Sequence, residues 1–402
     1  MLTLDISNLR KISRLHGLSP AEINSLEKIR NRKHGFYEIL DDKNSIEKIK
    51  KFARQNIGRY KHFVVLGIGG SALGALCLQQ SLSHIFKPNN LIVVDNIDPV
   101  LIKELEETIN LKKTLFIVTS KSGTTVETLA QYYYFRKKTD AAKLKPQNHF
   151  VFITDPEKGT LREIAKKENI TAFEIPENIG GRFSVFTAVG LLPAALIGIN
   201  IDRLIKGAKR GGKDFFAEQK KLATIQYLLY KKNKSINVIM PYAQKLIRLA
   251  DWYRQLLAES IGKKFNNKGK QIHVGITPVN ALGATDQHSQ IQLYNEGPND
   301  KLIIFIEVKN TGKPLKIPAI HKNLTFNKLL QTEKEATAAA LTRNNRPNIT
   351  IKIDSITEET LGELLMFFEG SIAFLGELFD INAYDQPGVE LAKQLTKKML
   401  HA

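Results

Sequence analysis

"TLFIVTSKSGTTVET" runs from Thr114 to Thr128, and its reading decides the fold. The first six residues are apolar or β-branched with no polar alternation, the mark of a strand covered on both faces. The next nine residues hold five hydroxyls, one lysine and one glycine. A buried strand that breaks into such a turn and passes into a helical stretch is a βα step of a parallel sheet. In open parallel sheets ligands bind beyond the carboxyl ends of the strands, and the hydroxyls lie at such an end.

Similar runs stand on either side of it. "HFVVLGI" (His62–Ile68), "NLIVVDNI" (Asn90–Ile97), "HFVFITD" (His149–Asp155) and "ITAFEIP" (Ile170–Pro176) complete a first set. Their spacing of about 20 to 35 residues suits right-handed βαβ units. A lysine- and alanine-rich helical stretch follows from about Asp202 to Asn233. The second set is "INVIMP" (Ile236–Pro241), "QIHVGITP" (Gln271–Pro278), "KLIIFIEV" (Lys301–Val308) and "NITIKID" (Asn348–Asp354). Helices at about Gln244–Ile261, Phe326–Arg343, Glu358–Asp380 and Gly388–Leu400 fit between and after these runs. The spacing predicts two doubly wound α/β domains in tandem.

The 402 residues suffice for two such domains, and the composition is that of a globular chain. Cys77 is the only cysteine, which rules out an internal disulfide and suits a reducing, cytoplasmic setting. No basic and apolar leader opens the sequence. "VFTAVGLLPAALIGINI" (Val185–Ile201) is short for a membrane span and contains Pro193, so it reads as a buried helix. The net charge of +19 is spread over many lysines, with no aromatic interleaving or nucleic-acid motif. Such a field draws anionic substrates inward. The histidines have no metal-ligand spacing.

Several segments carry chemistry. In the opening stretch Ser120, Ser122, Thr124 and Thr125, with Lys121 beside them, form either a phosphate cradle or an over-polar helix cap. "GIGGSALG" (Gly67–Gly74) loosely fits the dinucleotide fingerprint, with Asp95 placed like a ribose-binding acid, which keeps a nicotinamide enzyme in contention. Alternatively, Gly70 and Ser71 let a sugar phosphate lie against the turn. "GGRFSVFTAVG" sets Arg182 before the apolar helix, with Ser184 as its expected N-cap. Arg182 either binds a structural carboxylate or stabilises an anion formed in a reaction. In "QLLAESIGK", Gln255 and Glu259 share a helical face among apolar residues, so Glu259 is a candidate general base or a surface partner of Lys263. "GATDQHSQIQLYNEGPND" puts His288 in a polar loop where it could transfer protons or do nothing. In "DQPGVELAKQLTKK", Gln386 and Lys393 flank a helix start, and Lys393 and Lys397 share a face.

Taken together, "GIGGSALG", "SKSGTTVET", "GGRFSVFTAVGLLP", "ESIGK", "GATDQHSQIQLYNEGPND" and "QPGVELAKQL" resemble, in this order, the glucose-6-phosphate isomerases. The resemblance covers about residues 60 to 398. It implies two tandem sugar-isomerase (SIS) domains, each a three-layer αβα sandwich. The expected divisions are an N-terminal helical segment at 1–50, SIS domains at 51–205 and 206–380, and a C-terminal helix at 381–402. The implied reaction interconverts glucose 6-phosphate and fructose 6-phosphate through a cis-enediol, with no cofactor and no metal.

By that resemblance Glu259 moves the proton between C1 and C2, and Arg182 stabilises the enediolate. His288 and Lys393 assist ring opening. Ser120, Lys121, Ser122 and Thr125 hold the phosphate beside Gly70 and Ser71, while Gln255 and Gln386 contact the sugar. The family assembles as homodimers with shared sites, which places His288 in the partner's site. Ile261 stands where many members have asparagine, and Pro387 where many have tryptophan; both variants resemble the bacterial branch. Three other readings compete. They are a bifunctional phosphoglucose/phosphomannose isomerase, a non-catalytic SIS sugar-phosphate sensor, and the nicotinamide enzyme, which leaves the C-terminal half unexplained. Neither nucleic acid nor membrane is expected as a partner.

Overall fold

In a computed structural model, the structure describes residues 2–12, 17–31, 34–87, 90–318 and 324–400. The strands among them, in chain order, are β1 (Thr3–Asp5), β2 (His62–Leu66), β3 (Leu91–Val94), β4 (Thr114–Ser120), β5 (Phe150–Thr154), β6 (Ala172–Glu174), β7 (Ile236–Pro241), β8 (Lys263–Phe265), β9 (Gln271–Val274), β10 (Thr277–Asn280), β11 (Lys301–Val308) and β12 (Asn348–Ile353). The chain divides into two compact units, one of Lys33–Arg210 with Ile356–Glu363, the other of Met1–Arg32, Gly211–Ser355 and Leu364–Ala402. The mixed α/β architecture and parallel sheets expected from the spacing are present in both.

The Lys33–Arg210 unit holds the order β3-β2-β4-β5-β6, parallel throughout. Every residue of β4 is buried, as its unbroken apolar run requires. Val64, Leu66, Phe116, Val118, Phe150 and Phe152 pack with Tyr132 and Phe135 into one core. Each such side chain contributes about 1.5–3 kcal/mol on burial. The chain leaves β2 for β3 on one side and returns to β4 on the other, so the order reverses between β2 and β4. Crevices at such reversals are where doubly wound sheets take ligands. "GIGGS" follows β2 and "SKSGTT" ends β4.

Of the apolar segment Val185–Ile201, the helix Ala188–Leu196 is buried at every residue, while Gly198 and Asn200 in the turn beyond it are exposed. Thr187, not Ser184, caps it: the Thr187 hydroxyl accepts from the Val189 amide at 3.2 Å. The Ser184 hydroxyl instead donates to the Gly181 carbonyl at 2.6 Å, closing the preceding turn. Among the described residues, no helix is long and apolar enough to cross a membrane.

In the second unit the order is β1-β12-β11-β7-β10. Here the structure departs from the expected pattern in three ways. The N-terminal segment contributes β1, an antiparallel edge strand on β12, and residues 1–50 are divided between the two units. "QIHVGITP" is two strands: β9 pairs with β8 in a separate hairpin, and β10 runs parallel to β7. Gly275 and Ile276 lie between them, and His273, within the first, adopts a left-handed φ of 49°. The stretch 202–233 is two helices, Ile201–Lys213 and Phe216–Tyr230. The helix Ile247–Ile261 packs on β10 and β7, burying Leu249, Trp252, Tyr253, Leu256 and Leu257.

Candidate active site

Within the Lys33–Arg210 unit three turns build one surface. Gly70 begins the helix Gly70–Leu82. A Cβ there would come within 2.3 Å of the Gly181 carbonyl carbon and 2.8 Å of the Arg182 amide nitrogen. Only glycine allows this approach, so "GIGGS" and "GGRF" touch backbone to backbone. Arg182 is 2 % exposed, with its guanidinium carbon 5.6 Å from the Phe183 ring centre.

The hydroxyl loop lies beside them. Ser120 is buried, and its Oγ shares a 2.9 Å hydrogen bond with the Thr125 Oγ1. Thr125 is the N-cap of the helix Val126–Ala141, yet its side chain does not cap it. The hydroxyl turns to Ser120, so the capping reading of this stretch does not describe what Thr125 does. The Ser122 Oγ accepts from the Thr124 amide at 3.2 Å and from the Thr124 hydroxyl at 3.0 Å. Lys121 donates to the Glu177 carbonyl at 2.8 Å. Burial pushes the Lys121 ammonium below its ordinary range, while Glu177 and Asp155 pull the other way.

A second loop clamps the first. The Asp155 amide donates to the Lys121 carbonyl at 3.0 Å, and the Leu161 amide to the Gly123 carbonyl at 3.2 Å. Gly159 has φ +93°, and a Cβ there would meet the Ser122 carbonyl at 2.2 Å. Gly159 and Glu177 therefore shape the loop without having been singled out by motif; the only sequence signal was a glycine after "DPEK".

In the other unit, Gln255 and Glu259 meet as their i,i+4 spacing requires. The Gln255 Nε2 donates to the Glu259 Oε1 at 3.0 Å. The Gln255 Oε1 is buried and finds no hydrogen-bond partner among the described residues. Lys263 donates to the Glu259 main-chain carbonyl at 2.5 Å. His288 follows a short 3-10 turn, Thr285–Gln287, and is exposed; its ring has no hydrogen-bond partner among the described residues. Lys393, on the helix Glu390–Leu400, is exposed and pairs with Glu390 at 2.8 Å. Gln386 immediately precedes the turn Pro387–Val389. Among the described residues no cluster of His, Cys, Asp or Glu is placed to hold a metal ion.

Comparison with solved structures supports the class these turns define. A crystal structure of a hypothetical protein from Thermus thermophilus matches with a TM-score of 0.91 at 33% identity, covering 100% of both chains. A glucose-6-phosphate isomerase from Chlamydia trachomatis shares the fold, with a TM-score of 0.80 at 23% identity over 97% of this chain and 81% of that one. The fold is that of the SIS-type phosphosugar isomerases.

The family follows from the sequence. The phosphoglucose isomerase family profile matches residues 40–402. A glucose-6-phosphate isomerase of Carboxydothermus hydrogenoformans is 46% identical over 386 residues, spanning 88% of this chain and 82% of the relative. The chain belongs to the phosphoglucose isomerase family. That membership sets aside the nicotinamide reading of "GIGGSALG".

Proposed function

We propose that this chain interconverts glucose 6-phosphate and fructose 6-phosphate, with Glu259 as the base. The observation that carries the reading is the Glu259 carboxylate, held by Gln255 on the same helix of a family member. The open-chain aldose loses its C2 proton to Glu259, and the electron pair moves through C1–C2 onto the carbonyl oxygen. A proton passes from the C2 hydroxyl to the C1 oxygen, and the cis-enediolate takes the Glu259 proton back at C1 as the C2 carbonyl forms, giving the ketose with no net redox change. Arg182 offsets the charge that develops, and a fixed, buried guanidinium suits that task. Ser120, Lys121, Ser122 and Thr125, with Gly70 and Ser71, hold the phosphate, whose binding energy orients the reacting carbons.

His288 and Lys393 assist ring opening, and Gln386 contacts the sugar. The chain acts as a homodimer in which His288 serves the partner's site. The single, buried Cys77 supports a reducing cytoplasmic setting.

The test is a coupled assay of fructose 6-phosphate conversion, run beside Glu259→Gln. The parent should turn over, and the variant should lose about 10²–10⁴ in kcat, as expected for a missing general base. It should still bind a phosphorylated sugar acid. A folded parent without activity, or a variant that exchanges the C2 proton at the parental rate, overturns the reading.

A further inference from the structure

Lys263 stands one residue beyond the Gly262 that ends the Glu259 helix. The last carbonyls of any helix lack intrahelical donors. Lys263 supplies them: its ammonium donates to the carbonyls of Glu259 at 2.5 Å and Ser260 at 3.1 Å. A cation at this end also complements the helix dipole. The residue is 8 % exposed, so the charge is held out of water by these acceptors.

A cap needs no more than this. The same ammonium, however, donates a third hydrogen bond, to the main-chain carbonyl of Asp385 at 3.0 Å, with the Asp385 carboxylate 3.7 Å away. Asp385 directly precedes Gln386, and the helix carrying Lys393 begins soon after. One ammonium thus ties the backbone of the candidate base to the backbone that presents Gln386. Its own backbone is fixed in turn, because Lys263 opens β8 and pairs with Val274 of β9. All three hydrogen bonds reach main-chain oxygens, so they constrain where these segments run.

We propose that Lys263 is a positioning residue for proton transfer, a strap that sets Glu259 against the Gln386 turn. The inference rests on Glu259 being the base. Its effect should fall on the chemical step, since a misplacement of about 1 Å in a reacting group costs up to about 100-fold. The phosphate-binding turns belong to the other unit and keep their own geometry.

The experiment compares Lys263→Met, Lys263→Gln and Lys263→Arg in the full chain. Met removes every donor. Gln is shorter and neutral and has two amide donors in place of three, so it cannot make all three hydrogen bonds. Arg can reach both. Met and Gln should lower kcat about 10- to 100-fold. KM for fructose 6-phosphate and inhibition by 6-phosphogluconate should stay within about twofold, and Arg should recover most of kcat. If Met fails to fold, Gln decides, because it still offers donors to the helix carbonyls. A Gln variant with parental kcat overturns the proposal, as does a loss confined to KM or an Arg variant no better than Gln. Glu259→Gln is run in parallel. If it remains active, the base assignment fails independently of Lys263; if it is dead while Lys263→Gln is normal, only the strap fails.

Discussion

Glu369 shows what a single residue can cost a core. It lies on the helix Glu358–Leu378, is fully buried, and neither carboxyl oxygen has a hydrogen-bond partner among the described residues. Burial alone pushes its carboxyl well above the ordinary carboxylate range. The folded protein therefore keeps it protonated to higher pH than the unfolded chain, which ionises it above about pH 4.3. Below that pH the two states carry the same proton and stability is unaffected. As pH rises toward the folded value, the unfolded state gains by ionising, and stability falls by about 1.4 kcal/mol per pH unit. Glu369→Gln keeps the shape and removes the titration. Its melting temperature should match the parent near pH 4 and exceed it by several degrees at pH 8. Thermal melts across that range check this; parallel curves for the two proteins would show that Glu369 is not the titrating group.

At the scale of elements, the hydroxyl loop is wired differently from a helix cap. A loop that served only as a helix cap would place the Thr125 hydroxyl on its own helix, and it does not. Ser122→Ala with Thr125→Ala should weaken sugar-phosphate binding by about 3–6 kcal/mol if the two charge-assisted bonds are additive. The check is KM for fructose 6-phosphate and the inhibition constant of 6-phosphogluconate; unchanged values would make the loop a structural turn. Much at this scale was legible beforehand. β4 was readable because a strand buried on both faces needs no alternation. β1 was not, since three residues at an edge carry too little pattern, and the break at Gly275 hid inside a run that looked continuous. Ser184 and Thr187 are both good caps; only the turn closed on Gly181 decides between them. The motif segments could be found by residue type; for Lys263 the sequence offers only a side-chain pairing with Glu259, because its actual acceptors are main-chain carbonyls, which leave no trace in the order of side chains.

At the scale of the whole molecule the question is whether one chain suffices for activity. Within its own chain, the exposed His288 ring engages no described partner, although its residue type and loop suit proton transfer. If His288 serves a second copy, Glu259 and His288 defects should complement each other. Homodimers of Glu259→Gln and of His288→Ala should each be nearly inactive. Unfolded together in equal amounts and refolded, about half the dimers should be mixed under random assembly. Each mixed dimer then has one site with both defects and one with neither, and total activity should recover to about a quarter of the parental value. A chain that completes its own site cannot produce this recovery, because every site would retain one defect. Light scattering with native mass spectrometry establishes that mixed dimers have formed, and the coupled assay reads their activity. If mixed dimers are present and remain as inactive as the two parents, His288 acts within its own chain or has no part in the reaction.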